Sequence, residues 1–318
     1  MKYIAKKFIT LILTLFLISI LVFLIFQVIP GDPVLSILGT EATEEKIEAL
    51  REELGLNASL PERYFDWLFG ILKGDLGRSY RYKENLNEQM AVSRLVAGKL
   101  PVTLTLAGMS LILIIVLSIP LGILWGGTRH KWFDGLLNVL CQFSMSVPSF
   151  FLGIIVIYFF GLIMKWFTPG GYVSYKENPA GYLRYMIFPA LTVALPKVAM
   201  TARFLRNSII NQLNADYVRT AYSKGAGRYR VLFFHVLKNA MIPVVTFIGV
   251  IAAEIAAGSI VVEQVFGLPG IGRLLVSSIS TRDYPVVQAL MLYIVSAVVI
   301  VYFLVDVLYR CIDPRVEE

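Results

Sequence analysis

The chain has 318 residues, 57% of them hydrophobic and 16% charged, with a formal net charge of +7. A soluble domain carries about 25% charged residues, so this composition excludes an ordinary soluble domain. The surplus of Lys and Arg reads as positive charge kept in cytoplasmic loops of a membrane protein, not as a nucleic-acid surface. Two cysteines, one of them in an apolar run, suggest neither a disulfide framework nor a zinc site.

A membrane span needs about 20 mostly apolar residues, because the hydrocarbon core is about 30 Å thick. Six stretches meet or approach that length, roughly 8–29, 100–126, 135–164, 186–205, 241–262 and 286–309. The first is too long for a cleaved signal, and Ile29-Pro30-Gly31-Asp32-Pro33 follows it in place of a small-residue cleavage site, which predicts a retained helix. Residues 30–99 form an extracytoplasmic region that leans acidic in its first half. Within it, Thr43 followed by Glu44 and Glu45 predicts a helix start, Ile47, Leu50 and Leu54 give its apolar stripe, and Gly55 ends it. A second amphipathic piece starts at Pro61 and carries Tyr64, Trp67 and Leu68, aromatics suited to a membrane interface.

The core, 100–318, holds the other five spans. Pro101, Pro120, Pro148, Pro189 and Pro196 interrupt them, either as packing features or as kinks that open a vestibule. Gly153 and Gly161 predict close helix contacts. The fourth span is the weakest, since it contains Lys197 and Arg203. Lys197 and Glu254 both lie inside apolar runs, where an ionised group costs about 2.5–3.5 kcal/mol. They predict either a structural ion pair or a polar translocation pathway, and the two readings are compatible. Asp306 sits near the cytoplasmic end of the last span, a structural position.

Lys2, Lys6 and Lys7 hold the N-terminus inside, and six crossings put both termini in the cytoplasm. The loop 206–240 is then cytoplasmic and strongly basic. Its pattern is that of ordered structure. Asp216 is placed to cap a helix over 217–224, with Gly225-Ala226-Gly227 as a sharp corner. A second short helix over 228–241 leads to Pro243 at the start of the next span, giving an L-shaped pair.

This loop resembles the EAA loop of ABC importer permeases, in the dipeptide/oligopeptide/nickel branch. The resemblance rests on Asp216, Tyr217, Val218, Arg219, Thr220, Ala221, Lys224, Gly225 and Ala226, then on His235, Leu237, Asn239 and Pro243. The general motif's Glu and Pro are missing, as they are in that branch. Further motifs extend the likeness to the B-type subunit over nearly the whole chain. They include Gly74-Asp75-Leu76-Gly77-Arg78-Ser79, Leu100-Pro101-Val102-Thr103-Leu104, Ser146-Val147-Pro148, Val265-Phe266-Gly267-Leu268-Pro269-Gly270, Arg282-Asp283-Tyr284-Pro285 and Asp313-Pro314-Arg315. Tyr302 departs from the pattern, standing where relatives often carry Asn.

The resemblance implies an all-α fold of six transmembrane helices in the type I importer architecture. It implies a location in the bacterial or archaeal inner membrane. It also implies as partners a second permease, two ABC ATPases that bind ATP and Mg, and an extracytoplasmic substrate-binding protein. The EAA loop would fit a cleft on an ATPase. The chain lacks a G-x-x-x-x-G-K-[ST] loop, a nucleophile–base pair and a metal-ligand cluster, so no catalytic residue or cofactor is assigned to it. An ion-coupled secondary transporter using Lys197 and Glu254, or a membrane-bound enzyme, are the alternatives from other classes. The cargo stays open among dipeptides, longer peptides, nickel or its chelates, and sugars.

Overall fold

The computed structural model describes residues 2–28, 34, 38, 43–53, 55–85, 88–128 and 130–312. The Ile29–Pro33 motif, Leu54, Arg129 and the Asp313-Pro314-Arg315 motif fall outside them. Helix α1 (Lys2–Val28) carries no charge beyond Lys7. Helices α2 (Glu44–Glu53) and α3 (Leu60–Leu72) follow. Thr43 supplies the first carbonyl of α2, and Gly55 closes it at φ +63. Helix α3 starts at a cap not anticipated from sequence. The Glu62 carboxylate accepts from the Ser59 amide (3.0 Å) and hydroxyl (2.8 Å). Those bonds hold its pKa below the usual carboxylate value.

A hairpin of β1 (Arg78–Asn85) and β2 (Glu88–Ala91) leads into the long helix α4 (Val92–Gly127). Next come α5 (Lys131–Ser146) and α6 (Ser149–Val156), the latter continued by a π stretch, Ile157–Ile163. After them lie α7 (Pro179–Leu213), α8 (Asp216–Ser223), a helical turn Arg228–Arg230 and a π stretch Val231–Val236. Helices α9 (Leu237–Gly258), α10 (Ile260–Phe266), α11 (Ile271–Ser280) and α12 (Tyr284–Ile312) complete the described chain.

Among the described residues, 5 helices are individually long and apolar enough to span a membrane. Two further pairs, α5 with α6 and α10 with α11, reach that standard only when each pair is taken together, for up to 7 spans. The expected third span, 135–164, is therefore not one straight helix. It bends by 100° at Val147-Pro148, where both residues are extended. Pro148 has no amide hydrogen and keeps the preceding residue out of the helical region, so the chain turns there. The fifth expected span, 241–262, ends instead at Gly258. Pro189 and Pro196 lie inside the continuous α7, and Pro243 inside α9. Pro101 and Pro120 likewise lie within α4.

The chain forms two units. One contains Leu104–Leu268 with Met1–Ile4 and Ile300–Glu318. In it α7 packs on α5 and α9, and α6 packs on α7 and α10. Gly153 permits part of this, since a Cβ there would meet Val265 at 3.1 Å. Gly161 allows the approach of Pro169, not of another span. Two glycines not singled out from sequence matter more. A Cβ on Gly122 would lie 2.9 Å from Leu205, and one on Gly126 3.0 Å from Ile209, so α4 touches α7 along small residues.

The other unit contains Ala5–Thr103 and Pro269–Val299. Its organising residue is Asp283, fully buried between α11 and α12. One carboxylate oxygen accepts from the Ser79 hydroxyl (2.5 Å) and the other from the Tyr80 amide (2.9 Å). The Ser79 oxygen in turn accepts from the amides of Arg81 (3.1 Å) and Tyr82 (2.8 Å). Burial, and then the Asp283 charge, push the Tyr80 phenol up to about 12, so it stays neutral. Asp283→Ala removes the acceptor and strands two donors, at a cost of about 1–3 kcal/mol. The variant should melt at lower temperature in detergent and be cleaved faster in the hairpin; unchanged melting and cleavage would contradict the arrangement.

Candidate functional site

Segment 206–240 is built as an extension of two long helices. Helix α7 continues without a break through Arg206 to Leu213. The chain then turns at Asn214 and Ala215 into α8. Ala215, extended at ψ 151, is the cap residue, and Asp216 is the first residue of the helix. Asp216 therefore does not cap as expected. Its carboxylate is 98% exposed and lies 3.7 Å from Arg219, an exposed pair of small energetic weight. The C-terminal end does follow the sequence reading. Gly225 adopts φ +81, its amide reaches the Tyr222 carbonyl (2.9 Å), and the Ala226 amide reaches Ala221 (3.1 Å). This pair of bonds closes the last turn, and the left-handed residue between them favours glycine.

Beyond Gly227 the chain enters the Arg228–Arg230 turn and runs directly into the π stretch and α9. The expected second short helix, 228–241, is thus the foot of a membrane helix. Val231 and Val236 are five residues apart, a spacing that a π turn places on one face. With Leu232, Ala240 and Val244 they form a buried cluster that also takes in Leu205 and Ile209 of α7 and Val218 and Ala221 of α8. Tyr217, Ala226 and Leu237 pack at its edge. Ala221, part of the stretch whose resemblance implies a fit to an ATPase cleft, is 9% exposed and belongs to this core. The open face of α8 consists of Asp216, Arg219, Thr220, Tyr222 and Ser223, with Lys224 and Gly225 exposed beyond it. His235 is exposed and Asn239 half-buried.

Polar contacts fix the base of this segment. Asp134 on α5 accepts from the Trp125 indole (2.7 Å) and from Arg206 at Nε (3.0 Å) and Nη2 (2.6 Å). The Arg206 guanidinium also lies over the Trp125 ring, 5.4 Å from its centroid. Arg228 donates to the Gly127 carbonyl at the end of α4, the negative end of that helix dipole. Ser208 bonds the Ala240 carbonyl at 2.9 Å. Sequence reading counted Arg206 and Arg228 only as inward-biased charges. Asp134 was not singled out, although an acid four residues after His130 and facing the basic loop is a readable signal.

The second expected site also comes together. Lys197 on α7 and Glu254 on α9 form an ion pair. They border a cavity of about 300 Å³ with Val147, Ser149, Val193, Pro196 and Val262. Their side chains remain 28% and 45% exposed, so this chain alone does not enclose them. The bend at Val147-Pro148 lies on the same cavity. Among the described residues, no group of three or more His, Cys, Asp or Glu side chains is placed to hold a metal.

Residues 118–318 match the family described as binding-protein-dependent transport system inner membrane component, and residues 1–107 match its N-terminal companion. The chain belongs to this family. These permeases are the membrane subunits of ABC importers and share the type I fold, which decides against the ion-coupled transporter and the membrane enzyme. A putative peptide transport system permease protein of Brucella abortus (strain 2308) is 39% identical over 300 residues, 94% of each chain. A probable peptide ABC transporter permease protein of Sinorhizobium fredii is 36% identical over 314 residues, 99% of this chain and 98% of its own. The glutathione transport system permease protein GsiC of Escherichia coli O6:H1 is 36% identical over 316 residues, 99% of both. The permease is accordingly a multi-pass inner-membrane protein and a non-catalytic subunit of its transporter.

The ion pair in this permease is open to a double-substitution test. Lys197→Ala and Glu254→Ala should each lower the yield of folded permease, because each strands a charge at a cost of about 1–3 kcal/mol or more. The double variant should recover most of that yield. Equal losses that simply add would show that the two charges do not depend on each other.

Proposed function

We propose that the protein is one of two permease subunits lining the pathway of an ABC importer for peptides, and that α8 is the element its ATPases move. The supporting observation is the geometry of α8. One face is sealed into the core shared with α7 and α9, while Asp216, Arg219, Tyr222 and Ser223 stand open. A short helix held this way transmits a displacement to two membrane helices as a rigid body, which a loose loop does not. Two cytoplasmic ATPases with ATP and Mg would receive that face, and an extracytoplasmic binding protein would deliver cargo. In this reading both termini and segment 206–240 are cytoplasmic, residues 30–99 are extracytoplasmic, and 100–318 is the core permease domain. The relatives named for peptide and glutathione transport favour a peptide cargo over nickel or sugars.

Lys197 and Glu254 are assigned to the pathway in the same proposal. A half-exposed pair within the spans is costly against lipid and is stabilised by a water-filled route or a polar partner surface. Non-helical backbone such as Val147-Pro148 is tolerated at membrane depth under the same conditions.

The experiment uses the reconstituted transporter and the charge-reversed, truncated variant Arg219→Glu/Tyr222→Ala. Both side chains are on the open face, so the permease should fold and insert as before. ATP-driven peptide uptake should fall at least tenfold, and ATPase subunits should co-purify less. Uptake within twofold of the parent would overturn the assignment of α8.

A further inference from the structure

Helix α3 has more apolar surface than its contact with α1 uses. Its inner face is aromatic. Tyr64 is buried, its hydroxyl bonds Ser19 at 2.8 Å, and its ring stands edge-on to Phe23 at 5.4 Å and Phe16 at 6.5 Å. Trp67 meets Phe23 at 5.7 Å. Thus the aromatics read from sequence as interfacial are the ones that grip α1. A second stripe, Phe65, Phe69 and Leu72, follows at the four- and three-residue spacing that shares a helix face. These three are 50%, 56% and 73% exposed. Glu62, Asp66 and Lys73 lie on the remaining side and are exposed.

The depth of the contact decides what covers the second stripe. No charged residue occurs in α1 after Lys7, and an apolar run starting at Phe8 needs about 20 residues to cross the hydrocarbon. The crossing therefore ends near Gln27. At 1.5 Å per residue, Ser19 lies roughly 12 Å inside that end. A helix lying in the interface is buried about 5–10 Å, and a tyrosine pointing inward from it covers the remaining distance. Around the contact, Leu17, Leu21, Leu24 and Ile25 of α1 are also exposed apolar side chains. The apolar stripe of α3 thus lies at the same level as an exposed apolar surface of the span.

We infer that α3 is a membrane-embedded helix. It lies in the leaflet at the Val28 end of α1 and presents Phe65, Phe69 and Leu72 to lipid acyl chains. Tyr64 and Ser19 fasten it to the span, and Glu62, Asp66 and Lys73 face headgroups and water. The Ser59–Glu62 cap satisfies the end of the helix where it leaves the bilayer. The region after the first span is then held at the membrane at a fixed depth along α1, whatever cargo the protein carries.

The test places a nitroxide at Phe65, Phe69 or Asp66 in the full chain, with both native cysteines replaced, in lipid nanodiscs. Phe65 and Phe69 are exposed; the Phe65 ring stands edge-on to Tyr64 at 5.4 Å, but the Tyr64–Ser19 bond runs through neither residue. Collision with oxygen reports lipid, and collision with a water-soluble nickel chelate reports water. The ratio of oxygen to nickel accessibility should be at least threefold higher at Phe65 and Phe69 than at Asp66. Ratios at Phe65 and Phe69 as low as those of a water-exposed site would put the stripe in water and overturn the inference. Protection from both reagents at Phe65 and Phe69 would mean that protein covers the stripe, and would overturn it equally.

Discussion

The functional geometry of this permease depends on one apolar cluster. Val218 and Ala221 of a short helix are buried with Leu205 and Ile209 on one membrane helix and with Val231, Leu232, Val236, Ala240 and Val244 on the next. Burying a Val or Leu side chain contributes about 1.5–3 kcal/mol, far more than the exposed Asp216–Arg219 pair can add. Apolar packing therefore sets where α8 stands, and its polar groups are exposed on its outer face. The close approach of Gly122 and Gly126 brings a third long helix, α4, against α7 beside this cluster.

Charges near this cluster are used to join helices. Asp134 ties α5 to Arg206 of α7 and to Trp125 of α4. Arg228 closes the end of α4. Deeper in the spans, Lys197 and Glu254 pair beside a cavity and a break in the helix. A charge in lipid is expensive enough that each of these groups needs a named partner or water. Asp283 follows the same rule in the other unit, where a buried carboxylate satisfies a hydroxyl and a backbone amide of the hairpin.

Much of this was legible in the sequence because the signals were long or had a single physical cause. Apolar runs located the spans, and a glycine after a helical stripe located the left-handed corner at Gly225. The cost of isolated charges singled out Lys197 and Glu254 and left a pair or a pathway open; the structure brings the two side chains together. Other features were hidden. Asp216 looked like a cap by residue type, but cap position depends on which residue turns first, and Ala215 does. Ala221 belongs to the stretch resembling an EAA loop, which implied a partner contact, yet its side chain is buried in the core. The helix of 228–241 merged with a span because Pro243 lies inside the continuing helix without ending it, as interior prolines in membrane helices are tolerated where neighbours satisfy the freed carbonyls. The third span looked continuous in composition, which carries no information on direction, and Pro148 turned it. The hairpin contacts of Asp283 join residues about 200 positions apart, beyond any local pattern, and the all-α expectation did not include the two strands.

Hydrogen exchange of the folded chain tests most directly whether α8 is rigidly part of the membrane core. If the shared cluster holds it, the amides of Thr220–Ser223 should exchange as slowly as those of Ile209–Leu213 at the end of α7, because all open only when the cluster opens. Exchange of Thr220–Ser223 at the rate of an unstructured loop, with α7 still protected, would contradict the account.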